Sequence, residues 1–179
     1  MTANPPHLIE LKVSDIHQLF NSMDPSPFHE RDLDRDAEQF IVSWAQECPK
    51  RSLIRIVVHL AKRPDGMAQA EELIATSFQH YFRYRADMTL REFKQLLREG
   101  RISLLIGLLF LVSCQILASF LAADQEHWQG IVREGLTIAG WVAMWKPLEI
   151  GLYRWWPLLH FKRLLEKLGR SAVEVRVGD

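Results

Sequence analysis

Cysteine is scarce: the chain has two among 179 residues, Cys48 and Cys114. They lie far apart and the second sits inside an apolar run, so neither a disulfide framework nor a zinc-ligand spacing can be drawn. Net charge is lacking too. Lys+Arg and Asp+Glu are matched at 22 each, for a formal charge of +0, which gives no global field to recruit nucleic acid. No Gly-rich phosphate loop, G-x-S-x-G elbow or H-E-x-x-H helix occurs, and the seven histidines are scattered. With no assembled chemistry in view, the chain is expected not to be an enzyme and to carry no cofactor and no metal. His59 reads as a core or edge residue of a strand. Met1 to Pro6 is polar, so no signal peptide is expected. There is no internal repeat and no low-complexity segment, and the length suits one modest domain plus a helical hairpin.

What the chain does have is a stretch without charge. Residues 102–123 read ISLLIGLLFLVSCQILASFLAA, twenty-two residues that would span roughly 33 Å as a helix, enough to cross a bilayer. A second span is expected over 128–153, with Arg133 and Glu134 near its start and Lys146 and Glu149 near its end, where charges can reach headgroups. Pro147 removes a backbone donor and should bend this segment near Ala143. Five of the six tryptophans fall between Trp128 and Trp156, the pattern of an interfacial aromatic belt formed by Trp128, Trp145, Tyr153, Trp155 and Trp156.

Orientation follows from the cations. Arg91, Lys94, Arg98 and Arg101 precede the first span, Arg154, Lys162, Arg163, Lys167 and Arg170 follow the second, and the connecting residues 124–127 hold none. The positive-inside rule puts that loop outside and both termini in the cytoplasm, which makes the chain a multi-pass membrane protein.

The remaining segments alternate or repeat in ways that indicate a small α/β fold. HLIELKV at 7–13 has period two, LIRIVVHL at 53–60 reads as a more buried strand, and AVEVRV at 172–177 alternates strictly. Between the first two, Asp32 is expected to cap a helix running to about Glu47 with Leu33, Ala37, Phe40, Ile41, Trp44 and Ala45 on one face. Strand, helix, strand of this length implies a parallel crossover. A helix over 65–85 should present Met67, Ala70, Ile74, Phe78 and Tyr81 to the sheet. Thr89 and Glu92 then form a capping box opening a new helix into the first span. Pro157 can start an amphipathic helix whose Leu158, Phe161, Leu165 and Leu168 would lie on the inner leaflet. The expected fold is thus α/β: a cytoplasmic three-stranded sheet with covering helices, interrupted by a two-helix transmembrane hairpin. Its parts are an α/β domain at 1–88, the hairpin at 89–156, and at 157–179 an interfacial helix with a strand returning to the sheet.

Two sets of residues stand out inside the hairpin. Ser103, Gly107, Cys114 and Ala118, followed by Ala122, make a stripe of small side chains suited to close helix packing. Gly130, Arg133, Glu134, Thr137 and Trp141 share one helix face at spacings of three and four, and this face could line an ion path in an oligomer. The plainer reading is that Arg133 and Glu134 are shallow enough to be hydrated. Lys146 and Glu149 could pair with each other or between subunits. The loop Met23 to Asp36, with Asp24, His29, Glu30, Asp32, Asp34 and Asp36, lacks the glycine and glutamate spacing of a calcium loop and reads as a turn built on Pro25 and Pro27 before a helix cap.

The segments SMDPSPFHERDLDRDAEQFI at 22–41, LIRIVVHL at 53–60 and above all WKPLEIGLYRWWP at 145–157 resemble a group of uncharacterised bacterial membrane proteins with two transmembrane helices and a W-x-P-L-E-I-x-L-Y-x-W-W-P segment. The resemblance implies that topology and a single structural unit, and it implies no activity. Two thin spans give little internal packing, and the small-residue faces and tryptophan belt suit lateral association, so the expectation is a protein that acts by assembly, as a homo-oligomeric scaffold or an accessory subunit of a larger membrane complex, with membrane lipids around it and no nucleic acid. The alternative is an oligomeric channel or transporter subunit with Glu134 and Thr137 lining the path.

Overall fold

A computed structural model describes residues 6–27, 31–49, 52–61, 67–121 and 127–177. Along these run strand β1 (His7–Val13), a 3-10 turn (Ile16–Leu19), helix α1 (Arg35–Glu47), strand β2 (Ile54–Leu60), helix α2 (Met67–Leu121), helix α3 (His127–Ala143), helix α4 (Trp145–Glu149), a π-helical turn (Ile150–Arg154), helix α5 (Trp155–Leu168) and strand β3 (Ala172–Val177). The chain divides into two compact units, one of Met1–Thr89 with His160–Asp179 and one of Leu90–Leu159. Helices α2 and α5 each contribute residues to both.

The first unit is mixed α/β. Its sheet has the order β1-β2-β3 and both pairings are parallel. Period-two alternation puts Ile9 and Leu11 of β1, Ile54, Ile56, Val58 and Leu60 of β2, and Val175 of β3 into the core. Helix α1 adds Ile41 and Ala45, α2 adds Ile74, Phe78, Tyr81, Phe82 and Ala86, and α5 adds Leu165 and Leu168. Phe78, Tyr81 and Phe82 meet edge-on, with centroids 5.5 Å apart for Tyr81–Phe82 and 6.2 Å for Phe78–Phe82.

Three local expectations need correcting. Helix α1 is capped by Asp34, whose carboxylate accepts from Asp36 N at 3.0 Å, and not by Asp32. The two-residue shift arises because Leu33 bridges Phe20, Asn21 N donates to Asp32 O, and Asp34 N donates to Leu19 O, holding residues 32–34 extended. The buried face of α1 is also narrower than expected: Phe40 and Trp44 are exposed and pack on each other, centroids 6.0 Å apart. Thr89 starts no helix, since α2 is continuous and the Thr89 hydroxyl donates to Arg85 O at 3.0 Å within it. Ala86, Asp87 and Met88 contain no helix breaker, so the capping-box pattern had no end to cap.

The amphipathic stretch after Pro157 is corrected likewise. Its Leu165 and Leu168 are 0% and 1% exposed, and Phe161 and Leu164 pack against the same cluster; the sheet takes the surface expected to face a leaflet. The helix ends at Gly169, whose N–H donates to Leu165 O at 2.8 Å, and a three-residue turn leads into β3.

Electrostatics ties α1 to α2. Glu38 accepts the Tyr81 hydroxyl at 2.7 Å and Arg85 Nε at 2.9 Å, with Arg85 Nη2 also 2.8 Å from Glu38 Oε1. Burial, and then the Glu38 carboxylate beside it, pushes the Tyr81 hydroxyl above the ordinary phenol range. In the acidic loop, Asp24 accepts Ser26 N at 2.9 Å and Asp32 N at 2.8 Å, and these bonds, Asp32 N first, hold its carboxyl down at about 2. Burial and the Asp24 charge raise the Asp32 carboxyl. The loop is a backbone-holding turn around Asp24; His29 and Glu30 lie outside the described residues.

Candidate assembly face and aromatic belt

The second unit is built from the end of α2, then α3, α4, the π-helical turn and the start of α5. One helix among the described residues is long and apolar enough to cross a membrane, within α2, and only 17% of its most apolar stretch is buried. Residues 122–126, which include the end of the first expected span and most of the loop after it, lie outside the described residues. The second expected span, 128–153, is not one helix. Helix α3 has 17 residues, the chain turns at Met144, and α4 and the π-helical turn follow. Pro147 is the cause, since it offers no N–H to the carbonyl of Ala143, where α3 ends, and Met144 N turns back to Trp141 O at 3.1 Å.

Helix α2 meets these pieces along its small residues. A Cβ on Gly140 would lie 2.8 Å from Leu111 Cδ1 and 3.4 Å from Cys114 Cβ, one on Gly107 would lie 3.1 Å from Ala143 O, and one on Gly100 would lie 2.8 Å from Ile150 Cγ2. Residue numbers thus rise on one side as they fall on the other, so the two stretches run antiparallel. On the α2 side Gly107, Cys114 and Ala118 are buried and Ser103 is half-buried. On the other side Gly140, Pro147 and Ile150 are buried, with Ala143 half-buried between them. The spacing of 140, 143, 147 and 150 alternates three and four, the seam of two helices packed side by side. Gln129, buried on α3 with its Oε1 unpartnered, falls on the same side, and nothing in its sequence context distinguishes it from a surface glutamine.

Gly130, Arg133, Glu134 and Trp141 are exposed on α3, and Thr137 is half-buried. The Thr137 hydroxyl donates to Arg133 O at 3.0 Å, so its proton is already committed. Lys146 is exposed and Glu149 half-buried, and among the described residues no ion pair joins these two or joins Arg133 to Glu134. Ser113 and Ser119 donate to Phe110 O at 2.8 Å and to Ile116 O at 2.6 Å, so these hydroxyls on the outer face of α2 are satisfied within their own helix.

The aromatic residues divide between the ends of this unit. Trp128 is exposed at the start of α3, while Trp145, Tyr153 and Trp156 are exposed around α4 and α5, and Trp155 donates its indole N–H to Gly151 O at 2.8 Å. Helical rise over the 17 residues from Trp128 to Trp145 separates the two groups by roughly 25 Å. Among the described residues, no three His, Cys, Asp or Glu side chains converge to hold a metal ion.

Compared with protein-family models, with curated proteins and with solved structures, the chain matches none.

Proposed function

We propose that the chain is an integral protein of a bacterial inner membrane, with the α/β unit and both termini in the cytoplasm, and that it acts by assembly, as a homo-oligomeric scaffold or an accessory subunit of a membrane complex. The carrying observation is the outer surface of α2 beyond Arg101. Leu105, Ile106, Leu109 and Phe120 are 60–74% exposed, and this surface extends over five turns. Water tolerates scattered apolar side chains but not a continuous belt of them. A core helix of a soluble protein would be mostly buried, whereas this one keeps only its small-residue edge covered. Lipid as the surrounding solvent accounts for the exposed leucines, for the back-bonded serine hydroxyls and for aromatic groups about one hydrocarbon thickness apart.

On this reading the two-helix transmembrane hairpin consists of α2 from about Ile102 together with α3 and its continuation to about Tyr153. The small-residue stripe serves the hairpin itself, so contacts between chains fall to the outer faces. The α3 face with Arg133, Glu134 and Trp141 suits this role, because an adjacent cation and anion in one chain can meet the opposite charges of a second copy across a two-fold axis. The resemblance of the Trp145–Pro157 segment agrees with the two-helix topology.

The test is the mass of the full chain in lipid nanodiscs or mild detergent. The account expects an oligomer that Arg133→Glu weakens and that Arg133→Glu with Glu134→Arg restores. A strictly monomeric particle at membrane-like concentration contradicts it. The channel reading rests on the same exposed face. It is favoured over assembly alone only if reconstituted protein conducts ions and Glu134→Gln changes the selectivity.

A further inference from the structure

Within the second unit the seam between α2 and the returning chain closes at Gly100 and Ile150 and opens beyond them. The π-helical turn Ile150–Arg154 follows at once, and the next position expected on the seam, four residues after Ile150, is Arg154, which is exposed. The resulting groove has a volume of about 590 Å³ and is lined by Glu92, Gln95, Leu96 and Glu99 of α2 and by Tyr153, Arg154, Pro157 and Leu158. That size lies within the range of small-molecule sites.

The charges of the groove are unspent. Glu92 and Arg154 enter no ion pair among the described residues. Gln95 donates its amide to Glu99 Oε1 at 2.9 Å, which orients that carboxylate and leaves Oε2 as a second acceptor. Glu92 and Glu99 lie two turns apart on one stripe of α2, roughly 10 Å along the axis. Arg91, Lys94, Arg98 and Arg101 form the neighbouring stripe. Glu99 sits three residues before Ile102, about 5 Å from the uncharged stretch. If that stretch is in lipid, as proposed above, the groove lies at the level of the headgroups.

On that reading we propose that the groove is a headgroup site for a phospholipid bearing a primary ammonium, of the phosphoethanolamine class, with Arg154 taking the phosphate, Glu99 the ammonium, and Glu92, two turns away, adding negative charge to the lining. Arg154 supplies a forked donor suited to phosphate oxygens. Among the side chains that line the groove, two carboxylates face one guanidinium, which favours a headgroup with a cationic end. A quaternary ammonium has no N–H to give, so a phosphocholine lipid cannot make the hydrogen bond that a primary ammonium can make to Glu99 Oε2.

The experiment uses the full chain in detergent and native mass spectrometry of single-lipid binding, with phosphoethanolamine, phosphocholine and phosphoglycerol lipids of identical acyl chains. The ethanolamine lipid is expected to bind about tenfold tighter than the choline lipid, a ratio set by charge-assisted hydrogen bonds. Glu92→Gln with Glu99→Gln should erase that ratio, Arg154→Gln should weaken both zwitterionic lipids, and Glu99→Lys should turn the preference toward phosphoglycerol. Glu99→Gln alone, the milder change, should lower the ratio with an unchanged melting midpoint. Equal affinities for the three headgroups, or a preference that survives the double substitution, overturn the site. So does glycerophosphoethanolamine that competes as well as the intact lipid, since the ligand would then be a free headgroup. Flotation with vesicles separates the two levels of failure. A chain that floats as an integral protein but shows no headgroup preference loses only the groove, whereas a chain that stays in the aqueous phase loses the groove and the membrane reading together.

Discussion

A methyl group placed on Gly107 would lie 3.1 Å from the carbonyl oxygen of Ala143 and 3.3 Å from Met144 Sδ. Ala143 is the residue whose carbonyl Pro147 cannot serve, so the close approach of α2 falls where α3 stops. Proline on one side and glycine on the other place a helix interruption and a backbone contact at one level of the unit.

Substitution there should loosen the pair in proportion to size. Gly107→Ala asks the neighbours to yield by a few tenths of an ångström, while Gly107→Val forces the two stretches apart at a cost of about 1–3 kcal/mol. Gly135 has nothing within 4 Å of an added Cβ and lies off the proposed assembly face, so Gly135→Ala is the control and should leave the melting midpoint in detergent unchanged or slightly higher. Thermal melts of the three variants in one detergent check the order.

The Glu38 contacts make a second test. Replacing Glu38 by Ala leaves the Tyr81 hydroxyl and the Arg85 guanidinium without this acceptor and should cost about 1–3 kcal/mol. Tyr81→Phe, which removes a single hydrogen bond, should cost less. The pH dependence follows from the raised Tyr81 ionisation. With the folded value above the unfolded one near 10, the stabilisation is complete below about pH 10 and is lost as the pH rises through the folded value. Ultraviolet titration should show one late-ionising tyrosine that Glu38→Ala brings earlier.

Acid should act through Asp24. Its carboxyl is held at about 2 by bonds from Asp32 N and Ser26 N, below the unfolded value near 3.9. The contribution is present above pH 4 and disappears as the pH falls toward 2. Asp24→Asn should therefore flatten the difference in stability between pH 5 and pH 2, read by denaturant melts at the two values.

Strand β3 carries a fourth expectation. Val175 is buried in the sheet core and pairs with Val58 of β2, so removing residues 171–179 exposes that flank of the central strand and the apolar surface of α5 beneath it. The truncated chain should lose the cooperative melt of the α/β unit and bind apolar dyes. An unchanged melt would mean that the sheet does not depend on the returning strand.

The sheet was legible because its strands alternate cleanly, and a strand-length run at 172–177, far from the first two, could only rejoin them. The uncharged run and the Pro147 break were equally plain, since each depends on composition or on one residue. What escaped was set by distant partners. Asp34 outcompetes Asp32 as a cap because Phe20 and Leu33 bridge. Thr89 looks like a cap until the helix on both sides is seen to continue. Leu165 and Leu168 look lipid-facing until β3 draws α5 against the sheet. Within the second unit, the small-residue stripe of α2 was visible by spacing. Its match to Gly140, Ala143 and Ile150, and the groove left open at Arg154, were not, because both depend on the register between two stretches far apart in the chain.

The central claim, that lipid surrounds the outer face of α2, is tested most directly by cysteine accessibility in native membranes. In a background with Cys48 and Cys114 replaced, single cysteines at Leu109 and at Arg55 are challenged with a membrane-impermeant maleimide before and after the membrane is opened. The account predicts that Arg55→Cys reacts once the cytoplasmic side is accessible and that Leu109→Cys reacts only after detergent is added. Labelling of Leu109→Cys in opened but undissolved membranes, or recovery of the chain in the soluble fraction, would contradict it.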